Sequence, residues 1–104
     1  MWSIGDRVLA NWPLEVSWMY PGVICGVRDD GCIVQFDDGG RAQVAEEEIR
    51  RLNVDVGDRV FGRWRGGGQY LPGKVLVQRG WAILIRYDDG EEEWTSVCLV
   101  RIAG

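Results

Sequence analysis

The sequence predicts an all-β protein: two small five-stranded antiparallel barrels that follow one another along the chain and pack closely together. Short runs of Val, Ile and aromatic residues alternate with turns, and Gly is abundant, at 15 of 104 residues. The chain also repeats itself. Gly5-Asp6-Arg7-Val8 returns as Gly57-Asp58-Arg59-Val60, and Phe36-Asp37-Asp38-Gly39 returns as Tyr87-Asp88-Asp89-Gly90, at offsets of 52 and 51 residues. Units of about fifty residues lie near the lower limit for independent folding, which favours close packing of the pair.

The first unit is predicted to span residues 1–52. Its first strand is indicated by period-two alternation, in which Val8, Ala10 and Trp12 share one face. Pro13 ends that strand, residues 14–19 are predicted as a loop, and Pro21 is expected at the start of the second strand or on an edge. The remaining elements are predicted at residues 20–27, 32–37 and 41–45 (strands), 46–48 (a helical turn) and 49–52 (a closing strand).

The second unit, residues 53–104, repeats this plan with a few changes. Val60, Gly62 and Trp64 take the inward positions of the first strand. The segment 65–68, Arg-Gly-Gly-Gly, predicts a flexible loop, and it lacks the Lys-Ser/Thr ending of a phosphate-binding loop. Later strands are predicted to begin within 69–72 and to cover 81–87 and 91–95, with a helical turn and closing strand in 96–102.

Composition excludes several classes of function. The net charge is −4, and it is uneven: residues 1–52 hold five Lys or Arg and nine Asp or Glu, whereas residues 53–104 hold seven of each. An acidic first half argues against nucleic acid, which selects basic surfaces, and favours a cationic protein or peptide partner. The chain contains no His and shows no nucleophile motif or carboxylate pair across a cleft, so we expect no enzyme.

Three cysteines at positions 25, 32 and 98 follow no metal-binding spacing, so we expect neither a metal nor a cofactor. We interpret them as reduced, mostly buried thiols. No signal peptide or membrane-spanning run is apparent, which predicts an intracellular protein without membrane contact, nuclear in a eukaryote and cytoplasmic in a bacterium. A monomer is expected.

A candidate binding site follows from the barrel plan, because the end of strand one, the start of strand two and the end of strand three meet at one rim. In the first unit these positions hold Trp12, Tyr20 and Phe36, followed by Asp37 and Asp38. The corresponding set in the second unit is Trp64, Tyr70, Tyr87, Asp88 and Asp89. Aromatic faces beside a carboxylate suit a weakly hydrated cation, and methyl-lysine is the physiological cation that fits best.

The phrases Gly5-Asp6-Arg7-Val8, Tyr20-Pro21-Gly22-Val23 and Val34-Gln35-Phe36-Asp37-Asp38-Gly39 resemble the Tudor domain family, within the wider Tudor, chromo and Agenet group. The resemblance covers residues 4–52 and again 56–102, so the whole chain resembles a tandem Tudor protein. It implies SH3-like barrels and, as in many members, an aromatic cage for methylated Lys or Arg, such as those of histone tails.

The cage positions that match the family are Trp12, Tyr20 and Phe36, then Trp64 and Tyr87. The second unit departs from the pattern, because Leu71 stands where Tyr20 stands in the first. Tyr70 lies one position earlier and is expected on the other strand face, so the second cage is predicted to be weaker than the first.

Other interpretations of the same residues remain open. The aromatic residues can serve as core packing alone, and each Asp-Asp-Gly phrase is first a turn. An adaptor that contacts another protein without reading methylation is one alternative function. A second is nucleic-acid binding, since Gly57-Asp58-Arg59-Val60 with Gly73-Lys74-Val75 also resembles a KOW-type motif. The acidic charge argues against that alternative.

Overall fold

Ten antiparallel strands, five in each half of the chain, form the fold. The structure is a computed structural model that describes residues 1–13 and 15–103. The chain divides into unit 1 (Met1–Asn53, with residue 103) and unit 2 (Val54–Ile102). No α-helix occurs within these described ranges, and no helix there is long and apolar enough to span a membrane.

Unit 1 has the strand order β5-β1-β2-β3-β4, in which each neighbouring pair is antiparallel. The bounds are β1 (Arg7–Trp12), β2 (Glu15–Arg28), β3 (Gly31–Phe36), β4 (Arg41–Val44) and β5 (Ile49–Arg51). A 3-10 turn at Glu46–Glu48 precedes β5. The core is formed by inward residues of all five strands: Val8, Ala10, Ile24, Cys32, Val34, Phe36, Val44 and Ile49.

Unit 2 repeats this order as β10-β6-β7-β8-β9. Its strands are β6 (Arg59–Arg63), β7 (Tyr70–Arg79), β8 (Ala82–Tyr87), β9 (Glu92–Ser96) and β10 (Val100–Ala103), with 3-10 turns at Trp64–Gly66 and Val97–Leu99. The register repeats too, since Val8 lies opposite Gly22 and Val60 opposite Gly73. Even the bulge in the long strand recurs, after Ile24 in β2 and after Val75 in β7. The all-β, five-stranded plan of each unit is therefore confirmed.

The second strand of unit 1 is longer than the sequence indicated. Residues 15–19, which we expected in a loop, belong to β2, and that expectation was wrong; Leu14 lies outside the described residues. The pairing of Asn11 with Met19 extends the ladder, and the buried Asn11 amide donates to the Trp18 carbonyl at 2.9 Å. A hydrogen bond from this side chain thus favours strand geometry in a segment whose alternation is too short to predict a strand.

Pro21 lies inside β2 opposite Leu9, so its expected place at a strand start or edge was also wrong. Its carbonyl faces β3 and accepts a hydrogen bond from the Asp37 N–H at 3.0 Å. The missing N–H points to the same side, where β3 has already ended at Phe36. The proline therefore costs the sheet at most one hydrogen bond, at the place where β3 ends.

Cys25, Cys32 and Cys98 are not joined by disulfide bonds, and they differ in exposure. Cys32 is buried in unit 1, where burial raises the pKa of its thiol and the nearby Glu46 raises it further. Cys25 is half-buried, whereas Cys98 is exposed, contrary to the general expectation of burial.

Candidate functional site

The rim of unit 1 is built on an aromatic pair. The rings of Trp12, at the end of β1, and Phe36, at the end of β3, meet edge to face, with centroids 5.1 Å apart and planes at 74°. Phe36 is only 2% exposed, whereas Trp12 is half-buried and packs on the core from the rim side. The Phe36 ring therefore lies buried below the rim, and the Trp12 ring is partly exposed at the rim.

Tyr20 shares this side of the sheet. It lies opposite Ala10, two residues before Trp12 in β1, and two residues ahead of Gly22, which lies opposite Phe36. Residues two apart on a strand face the same way. The half-buried Tyr20 packs against the same core cluster as Trp12. The structure thus brings Trp12 and Phe36 into ring contact and places Tyr20 on the same face.

Trp12 lies directly over the turn between β3 and β4. A Cβ added to Gly40 would be 3.0 Å from the Cη2 and Cζ3 atoms of Trp12, so the ring rests on glycine backbone. In unit 2 the matching position is Glu91, as shown by the equivalent hydrogen bonds from Phe36 N to Gly40 O and from Tyr87 N to Glu91 O. The glycine that admits the tryptophan is therefore specific to unit 1, and sequence reasoning missed its role.

The first Asp of each Asp-Asp-Gly phrase is held by an arginine of its own unit. Arg7 donates two hydrogen bonds to Asp37, at 2.7 and 2.6 Å, and Arg59 binds both carboxylate oxygens of Asp88 in the same way. These pairs join the start of the first strand to the turn after the third. The repeated Gly-Asp-Arg and Asp-Asp-Gly phrases are thus two halves of one structural contact, and Asp37 and Asp88 carry a compensated charge.

The second Asp of each phrase caps the turn. The Oδ1 of Asp38 accepts from the Gly40 N–H at 3.0 Å, and that of Asp89 accepts from the Glu91 N–H at 2.9 Å. Gly39 follows Asp38 with φ of +103°, a conformation that glycine adopts without strain. Of the four predicted carboxylates, Asp38 and Asp89 are the two without an arginine partner among residues 1–13 and 15–103.

The rim of unit 2 has a related aromatic pair in a different setting. The rings of Trp64 and Tyr87 meet at 5.5 Å and 86°. Trp64, however, lies in the 3-10 turn after β6 and not on the strand where the sequence placed it. The hydroxyl of Tyr87 donates to Glu93 at 2.7 Å. Burial, followed by this hydrogen bond and the nearby carboxylate charge, raises the pKa of Tyr87.

A cation of the protein itself already lies on this second rim. The guanidinium carbon of Arg65 is 5.2 Å from the Trp64 ring centroid, and the Arg65 N–H donates to Glu93 at 3.1 Å. Arg65 has φ of +53°, an uncommon value for a residue with a side chain. The sequence signal for this arrangement is the offset of 51, which places Glu93 where unit 1 has Ala42 and Tyr87 where it has Phe36.

Leu71, rather than Tyr70, occupies the position of Tyr20. Leu71 lies opposite Gly62 as Tyr20 lies opposite Ala10, whereas Tyr70 lies opposite Arg63. The Tyr70 ring contacts Arg101, whose guanidinium carbon is 4.2 Å from its centroid.

A cavity of about 210 Å³ opens at the rim of unit 2, lined by Leu71, Pro72, Tyr87, Asp88 and Asp89. It contains three of the five residues that the sequence assigned to the second cage, with Leu71 as an aliphatic wall.

Comparison with known proteins agrees with this fold. A family described as the Tudor domain of the DNA repair protein Crb2 matches residues 4–52. The chain resembles the crystal structure of the Crb2 tandem tudor domains, with a TM-score of 0.72 and 19% identity over 99% of this chain and 82% of that one. It also resembles AGDP1 AGD34 of Arabidopsis thaliana, with a TM-score of 0.50 and 15% identity over 98% of this chain and 82% of that one. No curated protein matches the sequence.

A tandem of small barrels that carry aromatic residues at the rim is the architecture of a binding module. Residues 4–52, within unit 1, match a Tudor domain model, and the whole chain has the tandem Tudor fold. Tudor domains in general bind proteins and peptides, which supports a binding module.

Proposed function

We propose that this protein binds a basic peptide carrying methylated Lys or Arg, such as a histone tail, chiefly through the rim of unit 1. The observation that carries this proposal is the edge-to-face pair of Trp12 and Phe36, with Tyr20 on the same face. A methylammonium group is a weakly hydrated cation, and each aromatic face contributes about 0.5–2 kcal/mol to its binding, depending on desolvation.

The charge of unit 1 supports a basic ligand. Residues 1–52 carry a balance of −4, and exposed carboxylates such as those of Glu46 and Glu47 raise the local concentration of a cationic peptide. Because Asp37 is paired with Arg7, we assign the role of rim carboxylate to Asp38. Recognition then rests mainly on the rings, and affinity should rise with each methyl group, because every methyl lowers the hydration of the cation.

The two rims should not contribute equally. In unit 2, the guanidinium of Arg65 lies on Trp64, where a ligand cation would have to bind, and Leu71 replaces one aromatic wall. We therefore propose that Trp64, Tyr87 and Asp89 form a second, weaker site. At this site the guanidinium of Arg65 competes with the ligand cation for the Trp64 ring. Arg65→Ala should increase the perturbation of the Trp64 indole by a trimethyl-lysine peptide, and an unchanged response would contradict this competition.

The main experiment titrates basic peptides that differ only in methylation, from unmodified to trimethylated lysine and from unmodified to dimethylated arginine. The indole N–H signals of the tryptophans report binding by NMR, which assigns the site as well as the affinity. Tyr20→Leu is the informative variant, because Leu71 occupies the same ladder position in unit 2 and shows that the fold accepts leucine there. Leu71→Tyr is the matched reverse change.

We expect a trimethylated peptide to shift the Trp12 indole and to bind roughly tenfold more weakly to Tyr20→Leu, which is the loss of about 1.4 kcal/mol expected for one ring face. Leu71→Tyr should leave the affinity at Trp12 unchanged. Equal affinity for methylated and unmodified peptides would refute methyl recognition and favour an adaptor that contacts proteins by another surface.

A further inference from the structure

The outward face of unit 2 carries a row of apolar side chains across three strands. Val77 lies opposite Leu84, and Leu84 lies opposite Trp94, so the row crosses β7, β8 and β9. Trp94 is 53% exposed. Trp81, in the turn before β8, is 56% exposed. Two tryptophans that are each more than half exposed are uncommon on a surface that contacts only solvent.

Unit 1 shows that the fold does not need these two tryptophans. The positions 51 residues earlier hold Asp30 and Gln43, whose side chains form a hydrogen bond of 2.8 Å. The two positions are thus neighbours in the repeated fold, and a polar pair satisfies them. Trp81 and Trp94 replace that pair with apolar surface that the repeated fold does not require.

The same face is positively charged. Lys74 and Arg79 are exposed on the outward side of β7, and neither has an ion-pair partner in the part of the chain that the structure describes. The neighbouring Arg86 is neutralised by Glu92, at 2.6 Å. Two uncompensated cations therefore flank the apolar row, on a chain whose net charge is −4.

We propose that this outer face of unit 2, formed by Lys74, Val77, Arg79, Trp81, Leu84 and Trp94, docks an acidic segment of a partner protein that carries a bulky apolar side chain. Trp and Arg are the residue types that dominate interface energetics, and Trp94 and Arg79 supply one of each. Complementary charge steers the encounter and rejects basic chains. The partner is thus opposite in charge to the methylated peptide of unit 1, and this inference does not depend on that proposed function.

The test uses the full chain and a synthetic peptide in which Asp and Glu residues flank a Leu-Phe pair. A matched peptide with Lys in place of the acids and a thymidine oligonucleotide are the other two probes. The decisive variant combines Trp81→Asp with Trp94→Gln, which transfers the polar pair of unit 1 to the same positions of unit 2 and is expected to fold for that reason. Arg79→Glu tests the charge alone.

We expect the acidic peptide to shift the indole signals of Trp81 and Trp94, with an affinity that falls as salt rises. The double variant and Arg79→Glu should each weaken binding by roughly tenfold or more, a loss of about 1.4 kcal/mol. Trimethyl-lysine binding at Trp12 should be unchanged in both, which separates this inference from the function proposed for unit 1.

Several results would overturn the proposal. They are the absence of a response to the acidic peptide, an equal response to the basic peptide, and a response to the oligonucleotide alone, which would make the face a nucleic-acid surface. Loss of the indole signals on concentrating the protein, absent in the double variant, would instead show that a second copy of the chain covers the face.

Discussion

Replacement of Gly62 by alanine probes the difference between the two rims most directly. A Cβ at this position would lie 2.6 Å from the Tyr87 hydroxyl oxygen and 3.0 Å from the Cδ1 of Ile85. Tyr87 is 3% exposed, and its hydroxyl is bound to Glu93, so a shift of the ring would break that hydrogen bond. Unit 2 therefore admits a tyrosine at this place because glycine faces it.

Unit 1 carries the complementary solution, with Ala10 in the position of Gly62 and Phe36 in that of Tyr87. The methyl group and the hydroxyl exclude one another, and each unit has only one of them. The prediction is therefore a coupling: Gly62→Ala should be harmful alone and less harmful together with Tyr87→Phe, which removes the hydroxyl but leaves the contact with Ile85.

The expected magnitudes follow from the contacts. Overpacking of a buried site costs about 1–3 kcal/mol. Glycine to alanine in compatible extended backbone recovers about 0.4–1 kcal/mol through the unfolded chain, so Gly62→Ala should lose about 1–2 kcal/mol net. Tyr87→Phe alone should lose about 0.5–1.5 kcal/mol with the hydrogen bond to Glu93. In the Tyr87→Phe background, Gly62→Ala should cost less, because the 2.6 Å contact with the hydroxyl is gone and only the contacts with Ile85 Cδ1, at 3.0 Å, and with the ring edge remain.

The assay is urea unfolding of the full chain, followed through the NMR signals of unit 2 amides so that the two units are monitored separately. The four proteins form a double-mutant cycle. If Gly62→Ala lowers the free energy of unfolding by the same amount in both backgrounds, the effects are additive and the steric coupling is refuted. Phe36→Tyr is the mirror control: it should destabilise unit 1, because Ala10 stands where the hydroxyl would lie and Ala42 offers it no acceptor.

Three further predictions concern the rims. Because the pKa of Tyr87 is raised on folding, unit 2 should lose stability as the pH rises above about 10, the value for an unfolded tyrosine, and Tyr87→Phe should flatten that part of a pH titration of unfolding. Gly40→Ala should tilt Trp12 away from the turn and weaken methyl-peptide binding, at a stability loss of roughly 1 kcal/mol; calorimetric affinities unchanged from the parent would contradict the contact at 3.0 Å. Asp37→Asn should destabilise unit 1 by about 1 kcal/mol, less at high salt, because it breaks the bidentate pair with Arg7. If Asp37 served the ligand instead, this variant would lose affinity without losing stability.

Much of the architecture was predictable because it is encoded locally and twice. Alternation in β1, the Asp-Asp-Gly turns and the helical turn at residues 46–48 lie where the sequence placed them. The duplication also predicted correctly that Tyr70 and Leu71 face opposite ways, since a strand has period two and one residue of slip changes the face. A repeat supplies its own alignment, so an observation in one unit constrains the other.

The early part of β2 could not be predicted in this way. The polar and apolar alternation of residues 15–18 is only four residues long and precedes Pro21, and the hydrogen bond from the Asn11 amide to the Trp18 carbonyl adds support from the neighbouring strand. A hydrogen bond donated by a side chain of another strand leaves no signal in the sequence of the segment that accepts it.

The sequence by itself determined the fold class, the duplication and the identity of the aromatic residues near each rim, because hydrophobic period, turn chemistry and repetition are all written along the chain. Only the tertiary structure decided how the charges are distributed among them. Asp37 and Asp88 are bound to arginines about thirty residues away, and Arg65 covers Trp64. An aspartate is the same residue in the sequence whether its carboxylate faces a ligand or an arginine. Its partner is the group that lies nearest in the folded protein, and the order of residues along the chain does not specify that group.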